Sequence, residues 1–148
     1  NVALAPDILA TYALGSCVGI CLFGKTKSIG GLAHIMLPLS TEAANPSENK
    51  RTYADTGIAE LLALMKSKGA NIQAVVAKIA GGAQMFATNS SVFNIGERNV
   101  NAVKKVLESY KIPIIAEQTG ENYGRTVFFD SSTGLMQVKS ASKNVIVV

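Results

Sequence analysis

The segment LGSCVGICLFGKTKSIGGLAHIMLP, residues 14–38, contains the features that decide the fold. The apolar runs Val18–Phe23 and Gly31–Leu37 are typical of β-strands, and the polar stretch Gly24–Ser28 between them is typical of a turn. Pro38 ends the second run, because proline cannot donate a hydrogen bond to a strand ladder. We therefore predict two antiparallel strands joined by a short turn.

The chain's one histidine, His34, lies on the second of these strands, and Cys17 directly precedes the first. If Lys25 and Thr26 form the tip of the turn, Cys17 lies opposite His34, with Cβ atoms about 4.5–5.5 Å apart. An imidazole at that distance can accept the proton of a thiol, and the thiolate can then attack a carbonyl carbon. The pattern therefore indicates a nucleophile, Cys17, with His34 as its base. The competing interpretation is that both are structural, since a lone cysteine on a strand is usually a small core residue.

Neighbouring residues offer the other parts of such a site. A third group usually orients the imidazole, and Thr11 and Ser16 are the nearby hydroxyl candidates. The main-chain N–H groups of Gly15, Ser16 and Cys17 are candidates for binding an oxyanion, because glycine lets a substrate approach the backbone closely. The segment thus predicts covalent chemistry on a carbonyl group.

The second cysteine, Cys21, is predicted to be a buried apolar residue between Ile20 and Leu22. On a strand it lies about 13 Å from Cys17, at about 3.3 Å per residue. A disulfide needs Cα atoms within about 7 Å, so we expect free thiols and a reducing, cytoplasmic setting. Two cysteines and one histidine also fall short of the four ligands of a structural zinc site. We expect neither a metal nor a cofactor.

The composition is that of a globular chain. Apolar residues make up 48% of its 148 residues and charged residues 16%, which excludes an intrinsically disordered protein. No window approaches 18 consecutive apolar residues, so we expect no membrane insertion. The net charge of +4 is spread too thinly for a nucleic-acid-binding surface. We expect one domain, residues 1–148, and further residues upstream because the chain begins with Asn1 rather than Met.

Apolar periodicity predicts two helices. Ile58, Leu61, Leu62 and Met65 follow the spacing of one helix face, and Gly69 is placed to end that helix.

The second predicted helix runs from Ile95 to Tyr110. Asn94 and Glu97 resemble a capping box, and Glu97, Arg98 and Asn99 indicate a solvated first turn. The predicted buried face of this helix consists of Val100, Val103, Val106, Leu107 and Tyr110.

Strands occupy most of the remaining chain. Their order with the helices, β-β-β-α-β-α-β-β-β, mixes hairpins with helical crossovers. This order favours an α+β layered domain over a doubly wound parallel sheet. The further predicted strands in this order are Ile8–Tyr12, Ala74–Ala80, Ile112–Glu117, Thr126–Asp130 and Leu135–Lys139, and Asn144–Val148 is a candidate closing strand.

Two motifs, Leu14–Gly19 and Gly31–Pro38, closely resemble the CheD family, the chemoreceptor glutamine deamidases of bacterial and archaeal chemotaxis. An L-G-S-C motif followed at this separation by G-L-x-H-x-M-L-P is specific, whereas pairs of glycines alone are not. The resemblance covers nearly the whole chain and continues through Tyr53–Thr56, Gly81–Phe86, Asn94–Asn99 and Gly124-Arg125.

The resemblance implies a catalytic set. The family's nucleophile falls on Cys17, its general base on His34, and its third member, a threonine six residues before the cysteine, on Thr11. The implied reaction converts a receptor glutamine to glutamate through a thioester, with release of ammonia. One departure is visible, since Glu121 stands where family members commonly carry a second glycine after Gly120. It concerns the local loop rather than the catalytic set.

The resemblance also implies a fold and partners. The implied fold is a layered α/β sandwich with mixed sheets flanked by helices, similar to cysteine-dependent toxin deamidases. The implied substrates are the cytoplasmic helices of chemoreceptors, and the implied partner is the chemotaxis phosphatase CheC.

Two other functions remain open at this stage. The chain is a binding regulator of CheC with weak or no catalysis if exposed Phe or Met side chains near the Gly81–Phe86 loop matter more than Cys17. It is a thiol redox protein if Cys17 and Cys21 act together, which their spacing on a strand disfavours.

Overall fold

The computed structural model describes residues 1–45, 49–85, 94–141 and 144–148. Within these residues the chain forms nine β-strands and two α-helices. In chain order they are β1 (Val2–Leu4), β2 (Ile8–Leu14), β3 (Val18–Gly24), β4 (Ile29–Ile35), α1 (Ala54–Ser67), β5 (Val75–Gly81), α2 (Ile95–Ser109), β6 (Ile114–Thr119), β7 (Arg125–Asp130), β8 (Met136–Lys139) and β9 (Ile146–Val147).

The strands form two sheets. The first sheet has the order β1-β4-β3-β5-β6, in which β5 and β6 are parallel and the other neighbours are antiparallel. The second sheet has the order β2-β7-β8-β9 and is antiparallel throughout. The predicted α+β layered fold with a mixed sheet is confirmed. The similarity to toxin deamidases stays a prediction.

Alternation along the strands of the first sheet divides the core between two layers. One face packs against both helices, and the other faces the second sheet. The strand residues that face the helices are Val18, Ile20, Leu22, Ile29, Ile35, Val75, Ala77 and Ile79. The buried residues between the two sheets are Leu14, Cys21, Leu32, Ala80, Val127, Phe129, Met136 and Val138.

The first helix follows its predicted pattern. The stripe Ile58, Leu61, Leu62 and Met65 is buried, and Gly69 follows the helix with a φ of +95°. A glycine adopts this conformation without the steric cost that a Cβ atom imposes.

The second helix begins as predicted but ends earlier. Asn94 caps it by accepting a hydrogen bond from the Glu97 main chain at 3.2 Å. Tyr110 lies just beyond the last turn and is 43% exposed, so its predicted place on the buried face is wrong. Neither helix in the described ranges is long and apolar enough to cross a bilayer.

The β3–β4 hairpin forms in a different register from the predicted one. Gly24 pairs with Ile29, so the loop contains four residues, and it ends with Ser28 in the left-handed conformation at φ 48°. This loop is centred one residue later than a tip at Lys25 and Thr26. His34 therefore lies opposite Gly19 rather than Cys17. A shift of two residues leaves every side chain on its predicted face.

The sequence did not predict β1, which has only three residues. Val2, Ala3 and Leu4 pair with Gly31, Gly30 and Ile29 at the edge of the first sheet. A strand this short carries no alternation of its own, and its pairing with β4 forms it.

Candidate active site

The second sheet brings Thr11 to His34. Thr11 lies on β2, and its Oγ1 is 2.9 Å from Nδ1 of His34 on β4. Gly19 lies beneath them on β3. A Cβ atom there would be 2.9 Å from Cδ1 of Leu14 and 3.3 Å from Cγ2 of Thr11. Because Gly19 has no side chain, Thr11 has room to pack against β3, the strand that pairs with β4.

Cys17 lies directly before β3, on the same face as His34. Its side chain packs at the margin of the cluster between the sheets and is half-buried. Because His34 pairs with Gly19, Cys17 is its diagonal neighbour, two residues along the same face. Diagonal positions on a sheet are about 7–8 Å apart at Cα, within reach of long and aromatic side chains. The structure thus places Cys17, His34 and Thr11 in one region of the interlayer space.

A glycine turn after β5, at residues 81–83 (the Gly82 turn), holds residues 15–17, here called the Cys17 segment. The N–H of Gly82 donates to the Cys17 carbonyl at 2.8 Å, and the N–H of Ala83 donates to the Gly15 carbonyl at 2.8 Å. Gly81 has a φ of +112°, and a Cβ atom on it would lie 2.2 Å from the Cys17 carbonyl oxygen. Only glycine allows the two segments to approach this closely.

The main-chain donors around Cys17 differ in availability. The N–H of Gly15 donates to the Ala13 carbonyl at 3.0 Å. For the N–H groups of Ser16 and Cys17, the described part of the chain provides no acceptor. Of the donors considered from sequence, those of Ser16 and Cys17 thus have no acceptor among the described residues, whereas that of Gly15 has one.

Burial determines the protonation of the site. It raises the pKa of the Cys17 thiol above its ordinary value and lowers the pKa of His34 below its ordinary value. Both shifts favour the uncharged form. Near neutral pH the resting site therefore holds a thiol and a neutral imidazole rather than an ion pair.

A cleft of about 330 Å³ opens beside the histidine, between β2, β4 and α1. Its lining includes Thr11, His34 and Leu64 of α1. Arg51 and Glu60, which form an ion pair with an N–O distance of 2.8 Å, also line it. Within the described ranges no three His, Cys, Asp or Glu side chains are grouped to hold a metal ion.

Sequence reasoning missed the role of Asn99. It was predicted to lie in a solvated first turn, but it is 0% exposed, and this prediction is wrong. Its Nδ2 donates to the carbonyls of Ser16 and Met36, both at 2.9 Å. The signal was present in the sequence, since position 99 precedes Val103 and Val106 by four and seven residues and so lies on the buried face of α2.

Residues 36–140 match the family model described as CheD chemotactic sensory transduction. The chain belongs to the CheD family. A relative from Caldanaerobacter subterraneus subsp. tengcongensis is 50% identical over 147 residues, covering 98% of this chain and 90% of the relative. One from Clostridium tetani is 49% identical over 142 residues, covering 95% and 86%. One from Geobacillus kaustophilus is 40% identical over 148 residues, covering 98% and 90%.

These CheD relatives share one name, "Probable chemoreceptor glutamine deamidase CheD". The family match begins at Met36, two residues after His34, so it does not include the three candidate catalytic residues. The similarity to the relatives extends over nearly the whole chain. The family is thus shown by the body of the domain, and the roles of Thr11, Cys17 and His34 rest on geometry and on the motifs.

Proposed function

We propose that this chain is a cytoplasmic deamidase that converts chemoreceptor glutamine side chains to glutamate in chemotactic adaptation. Cys17 is the nucleophile, His34 is the general base and acid, and Thr11 orients His34. The observation that carries the proposal is the 2.9 Å contact between Thr11 Oγ1 and His34 Nδ1, with Cys17 on the same face of the sheet. The names of the relatives supply the substrate class.

The threonine selects the tautomer. In the productive state Nδ1–H of His34 donates to Thr11 Oγ1, which leaves the lone pair on Nε2. Burial lowers the pKa of His34, so the imidazole is neutral near pH 7 and able to accept a proton. Burial also keeps Cys17 as a thiol until a substrate arrives. Proton transfer therefore accompanies the attack, because no thiolate is formed in advance.

The first half of the reaction forms a thioester. The Cys17 sulfur bonds to the carboxamide carbon of glutamine while its proton moves to Nε2 of His34. The oxyanion accepts hydrogen bonds from the N–H groups of Ser16 and Cys17, which have no acceptor among the described residues. The carbon–nitrogen bond then breaks, and the departing nitrogen takes the proton from His34 and leaves as ammonia.

The second half restores the enzyme. Water attacks the γ-glutamyl thioester, and His34 accepts its proton. The carbon–sulfur bond breaks, the proton returns to the sulfur of Cys17, and glutamate is released. The nearby cleft of about 330 Å³ gives an extended surface beside His34 for the receptor helix that carries the glutamine.

The test is the intact mass of a purified receptor cytoplasmic fragment after incubation with the protein. Replacement of –NH₂ by –OH adds about one mass unit per glutamine. We expect the gain with the wild type and with the matched control Cys21→Ala, and no gain with Cys17→Ala. A mass gain with Cys17→Ala that equals the wild-type gain contradicts the assignment of the nucleophile.

A second candidate function is regulation of CheC by binding. The observation that favours it is Met85, which is 46% exposed beside the Cys17 segment, its Cγ 3.2 Å from where a Cβ on Gly15 would lie. Phe86, also predicted to contribute, lies outside the described residues. If this function dominates, Cys17→Ala still activates CheC and Met85→Ala does not. If catalysis dominates, Met85→Ala retains deamidation.

A further inference from the structure

Asn99 joins two segments that are far apart in the sequence. It lies on α2, and it is completely buried. Its Nδ2 donates to the carbonyl of Ser16, directly before the nucleophile, and to the carbonyl of Met36, two residues after His34. Both distances are 2.9 Å. A single amide thus links the Cys17 segment to the end of the strand that carries the base.

The two ends of this amide are used unequally. Both N–H bonds have carbonyl acceptors, whereas the buried Oδ1 has no hydrogen-bond partner among the described residues. An unpaired buried oxygen opposes folding, since it has lost its water without a replacement. Donation by Nδ2 is therefore what this side chain supplies at its position.

Donation to Ser16 also fixes a neighbouring group. In a trans peptide the C=O of one residue and the N–H of the next point in opposite directions within one plane. Because Asn99 holds the Ser16 carbonyl, the Cys17 N–H points away from Asn99. Together with the Ser16 N–H, it is one of the two donors near the nucleophile that have no acceptor among the described residues. The direction of a proposed oxyanion donor is thus set by a side chain on another element.

The contact with Met36 holds the other half of the site. The N–H groups of Met36 and Leu37 both donate to the Thr52 carbonyl at 3.0 Å, so the end of β4 is held on one side by the segment before α1. The Nδ2 group of Asn99 donates to the Met36 carbonyl. The β3–β4 register, continued by one residue, places Met36 across from Cys17.

We infer that Asn99 is a positioning residue, whose side-chain amide holds the Cys17 segment against the His34 strand and directs the Cys17 main-chain N–H toward the reacting oxygen. The inference rests on the proposed deamidase function for its catalytic consequence. The two hydrogen bonds of Asn99, here called the clamp, exist in the free protein, and alkylation of Cys17 tests them without a substrate.

The test compares three variants on α2. Asn99→Ala removes both donors. Asn101→Ala changes the same residue type at an exposed position, and Val103→Ala removes buried apolar volume from the same helix without removing a hydrogen bond to Ser16 or Met36. Each protein is assayed well below its melting temperature for deamidation of the receptor fragment. Each is also assayed by mass spectrometry for the rate at which iodoacetamide alkylates Cys17.

We expect Asn99→Ala to lower kcat about 10- to 100-fold with KM nearly unchanged, because misplacing a group that acts on the transition state costs rate rather than binding. Alkylation of Cys17 should rise severalfold, because the released segment is less buried. Asn101→Ala and Val103→Ala should keep the wild-type kcat. If Asn99→Ala fails to fold, Asn99→Ser, which keeps one donor, is assayed instead and should give a kcat below that of the wild type.

Two results overturn the inference. One is a wild-type kcat and alkylation rate in a folded Asn99→Ala or Asn99→Ser protein. The other is an equal loss of kcat in Val103→Ala, which makes the effect one of general stability. If the wild type does not deamidate the receptor, the deamidase proposal fails for that substrate and alkylation decides alone. A rise confined to the Asn99 variants then supports the clamp, and no rise overturns it.

Discussion

Cys17 and Cys21 lie four residues apart on the same face of the first sheet, yet they have different environments. Cys17 precedes β3, is half-buried, and is held by main-chain contacts from the Gly82 turn. Cys21 lies in the middle of β3, is 0% exposed between the sheets, and pairs with Leu32 and Lys78 across the ladder. The fold thus leaves one thiol partly exposed and encloses the other.

The comparison also shows that a nearby cation does not by itself make a reactive cysteine. The charge of Lys78 favours a thiolate at Cys21, but burial is the larger effect and raises the pKa of that thiol. The Lys78 ammonium donates instead to the carbonyls of Gly134 at 2.6 Å and Val148 at 2.8 Å. For Cys17 the cause of the raised pKa is burial, with no cation beside it, so in the proposed mechanism the proton of this thiol goes to His34.

The largest expected effect is the contrast in alkylation between the two thiols. Iodoacetamide should modify Cys17 in the folded protein at least about a thousandfold faster than Cys21. Cys21 becomes accessible only when the sheets separate, and unfolded fractions of marginally stable proteins are about 10⁻³–10⁻⁶. Peptide mapping by mass spectrometry over time measures both rates. Equal rates in the folded protein would remove the distinction on which the assignment of Cys17 rests.

The sequence predicted most of this contrast because it depends on strand periodicity. Alternation along Val18–Phe23 places Cys21 among apolar neighbours and Cys17 at the strand's start. It does not determine the register with His34, because that depends on Ser28 adopting a left-handed conformation that ends a four-residue loop. The error was two residues, and an even shift keeps Cys17 and His34 on one face.

Contacts between distant segments were less predictable. Thr11 was a candidate by proximity to Cys17 and by family resemblance, but its contact with His34 requires β2 to belong to the second sheet. Nothing local in Ile8–Leu14 specifies that sheet. Asn99 was assigned to a solvated first turn of α2 together with Glu97 and Arg98, although its position in the helical repeat places it on the buried face.

The second expected effect concerns the turn that holds Cys17. Gly81→Ala forces a Cβ atom to within 2.2 Å of the Cys17 carbonyl oxygen at a φ of +112°. The clash and the strained backbone together should lower the free energy of unfolding by about 3 kcal/mol or more. Displacement of the Cys17 segment should also lower kcat about 100-fold. Urea unfolding and the receptor mass assay measure the two losses.

Gly120→Ala is the matched control for this prediction. Gly120 has a φ of +76° and donates to the Gly81 carbonyl at 3.0 Å, but a Cβ atom there meets nothing within 4 Å. It should therefore show only the cost of the left-handed conformation, about 1–2 kcal/mol, with a wild-type kcat. If the two variants lose the same stability and activity, close packing against Cys17 does not explain the need for glycine at position 81.

The smallest of the three effects separates accessibility from catalysis at Cys17. Thr11→Val keeps the β-branched shape but removes the hydroxyl that contacts His34 Nδ1. Loss of such an orienting partner should lower kcat/KM about 10- to 100-fold. Alkylation of Cys17 should stay near the wild-type rate, because the sulfur remains equally exposed. Thr11→Ser, which restores the hydroxyl, should recover most of the activity.

The lowered pKa of His34 determines how deamidation by the wild type should depend on pH. Burial lowers the pKa of His34, so the imidazole stays neutral to a lower pH than an exposed histidine does. Deamidation by the wild type should therefore be retained as the pH falls through about 6.5, the ordinary histidine value, and decline only below it.

In Thr11→Val the imidazole is free to rotate, and activity should be low at every pH rather than shifted along the pH axis. A Thr11→Val protein with the wild-type kcat/KM would mean that Cys17 differs from Cys21 by exposure alone, and that the threonine contact does not orient the base.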